Sequence, residues 1–190
     1  MRAARRPLQH RLATWLATGL MGASLAVPTA AWAALKVGDA APMFKTPAAV
    51  AGQAFEFDLA EALKKGPVVL YFFPKAFTRG CTIEANAFAE ATPRFAALGA
   101  TVIGLSHDDI DTLKKFSVEE CRDQFAVASD PQARTIKAYD AGALLPGMAA
   151  RISYVIGQDG RIRLTHEGSN PLRHVEETLK AVQQLAATPR

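Results

Sequence analysis

Cys81 stands where a chain has most to offer a nucleophile. The apolar run Val68-Val69-Leu70-Tyr71-Phe72-Phe73 precedes it, and Pro74-Lys75-Ala76-Phe77-Thr78-Arg79-Gly80 leads into it. A helix-forming stretch, Thr82 to Glu90, follows. A short run of bulky apolar residues reads as a strand buried on both faces. A cysteine at the strand-to-helix change meets backbone N–H groups that have no carbonyl partner, and the positive end of a helix dipole. Both favour thiolate over thiol, and the thiolate is the attacking species. Taken alone, a cysteine is more often an inert buried side chain. Its place after the strand argues for reactivity instead.

The remaining elements must position that residue. Leu35 to Pro42 reads as an extended lead-in, Gly52 to Asp58 as one arm of a hairpin, and Leu59 to Lys65 as a short helix ended by Gly66-Pro67. After the cysteine, a helix is expected from Thr82 to Leu98 with Gly99 as its C-cap and a kink at Pro93. Thr101 to Ser106 is a second buried strand, and Asp108-Asp109 cap a helix reaching about Asp123. Phe125 to Ala128 forms a short strand and Gln132 to Tyr139 a helix. Ile152–Ile156 and Arg161–His166 flank Gly157-Gln158-Asp159-Gly160 as a hairpin, and Asn170-Pro171 opens a last amphipathic helix to Ala187. This order predicts an α/β domain of thioredoxin-like fold, a mixed central sheet flanked by helices with extra N-terminal elements.

Composition narrows the function. Arg2, Arg5, Arg6 and Arg11 carry the only charges of residues 1–33, followed by the apolar stretch Leu12–Val27 and the small-residue site Ala31-Trp32-Ala33. That is the pattern of a cleaved export signal, so residues 34–190 are expected to form the mature domain. The apolar stretch is short for a membrane span, which makes a retained anchor the weaker reading. From Ala34 onward Lys+Arg and Asp+Glu balance at 18 each, so the basic pI belongs to the leader. Support for a nucleic-acid or anionic-membrane partner goes with it. The two cysteines are Cys81 and Cys121, with no C-x-x-C and no metal-ligand spacing; neither metal nor cofactor is expected. His107, His166 and His174 are scattered and read as surface or loop histidines.

Pro74-x-x-x-Thr78-x-x-Cys81 resembles the active-site signature of the peroxiredoxins, the thiol-dependent peroxidases, in their bacterioferritin-comigratory (PrxQ-type) branch. The likeness extends through "TVIGLSHDD", "FAVASDP" and "RISYVIGQDGRI", covering nearly all of the chain after the leader. It implies that Cys81 is the peroxidatic cysteine and that the Thr78 hydroxyl bonds thiolate and peroxide. It also implies that Pro74 shields the sulfur from water, and that Arg151 favours the thiolate and stabilises the transition state. A peroxide substrate, a thioredoxin-like or other dithiol reductant and a monomeric state follow from the same likeness. Many members of the branch carry a resolving cysteine five residues after the first; here that residue is Asn86. Cys121, expected in the helix after the second strand, is left as a resolving thiol, half of a structural disulfide, or a bystander. Glu84 could bridge to an arginine of the site or be a surface acid favoured by the helix dipole. A thioredoxin-like thiol–disulfide oxidoreductase is the alternative activity, and a copper-delivery module on the same fold a third; the lack of a second cysteine near Cys81 counts against both.

Overall fold

A computed structural model describes residues 34–187; the leader expected over residues 1–33 lies outside the described residues. Twelve elements follow in order: β1 (Lys45–Val50), β2 (Gln53–Asp58), α1 (Leu59–Lys65), β3 (Val68–Phe72), α2 (Arg79–Ala97), β4 (Thr101–Ser106), α3 (Ile110–Glu119), β5 (Ala126–Ser129), α4 (Arg134–Ala138), β6 (Ile152–Ile156), β7 (Ile162–Glu167) and α5 (Pro171–Ala187). The strands make one seven-stranded sheet in the order β2-β1-β5-β4-β3-β6-β7. β3, β4 and β5 run parallel, and the other pairings are antiparallel.

β3 is the axis of this sheet, which is why every one of its residues is apolar or aromatic and buried. Alternation divides them. Val69, Tyr71 and, just past the strand, Phe73 join a core with α2, α3 and α5, while Val68, Leu70 and Phe72 join a second core with α1 and α4. Gly104, opposite Tyr71 on β4, lacks the Cβ that would fall 2.7 Å from the Tyr71 ring. That space lets the ring stack on Phe88 of α2, with centroids 4.4 Å apart.

Two strand pairings decide where the site lies. Phe72, at the C-terminal end of β3, faces Ile152, the first residue of antiparallel β6. Arg151 therefore arrives beside the loop that carries the cysteine. On the other side, Phe72 faces Leu105 of parallel β4, whose next residues supply a second anchor for that loop.

The expected elements are present with shifted ends. α2 begins at Arg79 rather than Thr82, so Cys81 is inside the first helical turn, and it runs through Pro93 to Ala97. α3 stops at Glu119 instead of reaching Asp123. Cys121 thus lies outside the helix in which it was expected. Arg122 and Asp123 adopt left-handed φ values of 50° and 59°, which end the helix and turn the chain toward β5. Of the expected cap pair only Asp109 caps α3, accepting from the Thr112 N–H at 2.8 Å.

A candidate thiol site at the start of the central helix

Residues 73–78 connect β3 to α2, and Asp108 holds this loop in shape. Its buried carboxylate accepts from the Ala76 N–H and the Ser106 hydroxyl, both at 2.8 Å. The Ser129 hydroxyl in turn donates to the Asp108 carbonyl at 2.7 Å. Phe77, next to the clamped Ala76, has a φ of 61°, a conformation that costs a non-glycine residue energy. Its ring rests edge-on against Phe116 of α3, centroids 5.2 Å apart, which helps to hold that backbone. The sequence gives little sign of Asp108's role: it adjoins the true cap residue, and its partner Ala76 is thirty-two residues away.

Thr78 occupies the N-cap of α2, but its side chain makes no cap hydrogen bond. The hydroxyl donates instead to the Lys75 carbonyl at 2.9 Å, and the residue is exposed. Cys81 is the third residue of the helix and is buried, 1% exposed. At the N1–N3 positions the amides of Arg79, Gly80 and Cys81 have no i−4 carbonyl within the helix, so the turn that carries Cys81 has N–H groups left to donate. Pro74 is half-buried at the exit from β3.

Arg151 completes the arrangement. Its Nη2 donates to Cys81 Sγ at 3.5 Å, while its Nη1 pairs with Glu84 one turn further along α2. The guanidinium is thereby held on two sides, using the fixed fork that lysine lacks. Gly80 leaves room for it: a Cβ there would lie 3.0 Å from Nη2. Glu84 is 0% exposed, and burial pushes its carboxyl up to about 8 despite the opposing influence of Arg151. The bridging alternative for Glu84 is therefore the one realised, and the surface alternative is not.

The structure corrects the reading of His174. It is not a surface histidine but is fully buried on α5, bonded to Ser153 and to the Gly168 carbonyl. Its place on the face shared by Val175, Thr178, Leu179 and Val182 was the available signal. Cys121 is also fully buried, and burial raises its thiol well above the usual range. Cys81 and Cys121 are both free thiols and belong to one apolar cluster, on the same face of the sheet. The turn bearing Cys121 is tied to α2 by Asn86, which donates to Glu120 at 2.7 Å and accepts from Arg122. Arg122 also pairs with Glu90 at 3.2 Å.

A strand, a loop, and a helix whose first turn offers a buried cysteine to an arginine define a thioredoxin-like thiol site. The AhpC/TSA family model matches residues 37–165, and the chain belongs to that family, the peroxiredoxins. Over 124 residues it is 36% identical to a chloroplastic peroxiredoxin Q of Populus jackii, a match covering 64% of this chain and 58% of that one. Over 127 residues it is 35% identical to a chloroplastic peroxiredoxin Q of Sedum lineare, covering 64% and 66%. The chain thus spans under two thirds of the length of these relatives. Among solved structures, peroxidoxin BcpB from Mycobacterium tuberculosis superposes with a TM-score of 0.73 at 28% identity, covering 80% of this chain and 98% of that one.

Proposed function

We propose that this protein is an exported thiol peroxidase that reduces hydrogen peroxide and small organic hydroperoxides through Cys81. One observation carries the reading: the Arg151 guanidinium donates to Cys81 Sγ at 3.5 Å in the first turn of α2. The thiolate attacks the terminal peroxide oxygen, forming an S–O bond as the O–O bond breaks. Cys81 becomes a sulfenic acid, and the other oxygen leaves as hydroxide or alkoxide and takes up a proton. Negative charge grows on that departing oxygen. Arg151 and the N–H groups at the start of α2 are the donors that would meet it, acting where water is largely excluded. For Thr78 to donate to peroxide, its hydroxyl must leave the Lys75 carbonyl, a rotation about one side-chain bond.

Cys121 then resolves the sulfenic acid. Its thiol displaces water from Cys81–OH to give a Cys81–Cys121 disulfide, which an external dithiol protein reduces. Because Cys121 is buried and tied down through Asn86, its turn must open before the sulfurs meet. The basic, then apolar, then small-residue pattern of residues 1–33 supports export, and the balanced charge that follows supports neither nucleic acid nor membrane as a partner.

The test is reduced protein treated with one equivalent of hydrogen peroxide, its thiols mapped by mass spectrometry. Rapid formation of a Cys81–Cys121 disulfide is expected. Sulfenic acid on Cys81 with Cys121 free would remove Cys121 from the mechanism, and two unreacted thiols would overturn the peroxidase reading. Cys81→Ser should abolish turnover while leaving the fold unchanged.

A further inference from the structure

Behind Arg151 lies a buried polar cluster that the peroxide chemistry does not use. Glu84 Oε2 receives Arg151, but Glu84 Oε1 is buried with no hydrogen-bond partner. The nearest charged or titratable atom to it from α5 is Nδ1 of His174, 3.9 Å away. A buried carboxylate oxygen beside an imidazole would ordinarily be expected to receive a proton from it. The hydrogen bonding of His174 explains why this one does not.

Nε2 of His174 lies 3.0 Å from the Gly168 carbonyl. A carbonyl can only accept, so Nε2 carries the hydrogen. The ring is neutral, since burial pulls its pKa down to about 4. Nδ1 must then be the unprotonated nitrogen, and the Ser153 hydroxyl, 2.9 Å away, donates to it. The one lone pair of Nδ1 is thus engaged by Ser153, and His174 offers no proton to Glu84 Oε1. The ionised carboxylate is disfavoured there. A carboxylic acid protonated on Oε1 would instead compete with Ser153 for that lone pair, across the 3.9 Å between the two atoms.

We propose that Glu84 and His174 form a proton-holding pair behind the active-site arginine, in which His174 is a positioning residue that sets, through Glu84, how much of the positive charge of Arg151 reaches Cys81. When Oε1 holds a proton, Arg151 has no opposing charge and acts in full on the sulfur and the departing oxygen. When the proton leaves, the carboxylate offsets it. The groups facing this pair are Arg151 ahead of β6, Cys81 on α2, Tyr71 on β3 and His166 on β7, whose ring centroid is 4.6 Å from that of His174. Burial raises the Glu84 carboxyl to about 8, which places the change in the neutral to mildly alkaline range.

This inference rests on the peroxidase reading, and the experiment separates the two. The rate constant of Cys81 with hydrogen peroxide, and separately its alkylation by iodoacetamide, are measured from pH 5.5 to 9.5 in the wild type, Glu84→Gln and Ser153→Ala. Glu84→Gln imitates the protonated acid, with an amide that can donate to Nδ1. Its peroxide rate divided by that of the wild type should climb about fivefold or more between pH 6 and 9. Ser153→Ala frees the lone pair of Nδ1 for the protonated Glu84, which favours the acid, so the wild-type break in the profile should move at least half a unit to higher pH. Profiles that superimpose, or a Glu84→Gln ratio flat across pH, would overturn the pair, because a merely structural role would alter stability and not the profile. Alkylation of Cys81 without any reaction with peroxide would overturn the peroxidase reading instead.

Discussion

Replacing Gly80 by alanine should make the protein more stable and less active. The added methyl would lie 3.0 Å from Arg151 Nη2 and 3.8 Å from Cζ, so the guanidinium must give way by a few tenths of an ångström. Its freedom to do so is small, because Nη1 is fixed to buried Glu84 on the far side. Nη2 already lies 3.5 Å from the sulfur. Moving it out by about 0.5 Å lowers the attraction between unit charges by roughly 0.6 kcal/mol at an effective dielectric constant near 20, about threefold in rate. If the charge-assisted hydrogen bond is lost as well, about 1.5 kcal/mol more goes, and the total reaches on the order of thirtyfold. In the helix itself the change is favourable. Gly80 has no left-handed φ, and alanine in place of glycine in a helix gains up to about 1 kcal/mol. The assay pairs the rate constant of Cys81 with hydrogen peroxide, measured in competition with a reporter peroxidase, with thermal unfolding of the same samples. A rate within twofold of wild type would mean that Arg151 does not act at the sulfur. A rate and a melting temperature that fall together would mean that the methyl damages the fold.

Arg151→Lys should slow the peroxide step almost as much as Arg151→Ala, about a hundredfold, because an ammonium cannot hold Glu84 and the sulfur with one fixed fork; rapid-mixing kinetics on the two variants decide this. Stability should depend on pH with opposite signs at two residues. Glu84 has a folded pKa raised to about 8, so its contribution is present below about 4.5 and is lost as pH rises through 8. His174, lowered to about 4, contributes above about 6.5 and loses that as pH falls through 4. The two slopes oppose each other between roughly 4.5 and 6.5, and stability then falls from about 6.5 to 8 by up to about 1.4 kcal/mol per unit, a decline that Glu84→Gln should abolish in denaturant titrations. Asn86→Ala should speed formation of the Cys81–Cys121 disulfide about fivefold, the value of roughly one hydrogen bond, as followed by quenched mass spectrometry.

The parts of the site that depend on local pattern were legible in the chain. The unbroken apolar run of β3, the Gly157–Gly160 turn and the cysteine between strand and helix place Cys81 and Arg151 near one another once a thioredoxin-like order is assumed. What stayed hidden depends on contacts between distant segments. Asp108 looks like one of two equivalent caps until the fold brings Ala76 to it. His174 is polar by type, and only the packing of α5 against β6 and β7 buries it. The early end of α3 was missed because the chain there holds no glycine or proline; the left-handed turn falls on Arg122 and Asp123. Thr78 is the N-cap of a helix that starts three residues before its expected beginning, and the direction of its hydroxyl is decided by the loop.

In the proposed mechanism the ties on Asn86 would give α2 a second role, that of a timer. Its first turn carries Cys81, and five residues later the same helix grips the turn holding the other thiol. With Cys121 as the proposed resolving thiol, the lifetime of a sulfenic acid on Cys81 would be the waiting time for that grip to release, and a second peroxide arriving within it would meet an unresolved sulfur. Part of the grip is the Arg122–Glu90 pair, in which both side chains are at least half exposed and hence open to screening by salt. The interval between oxidation and resolution should accordingly shorten as ionic strength rises, although neither cysteine is itself exposed to the solvent that sets it.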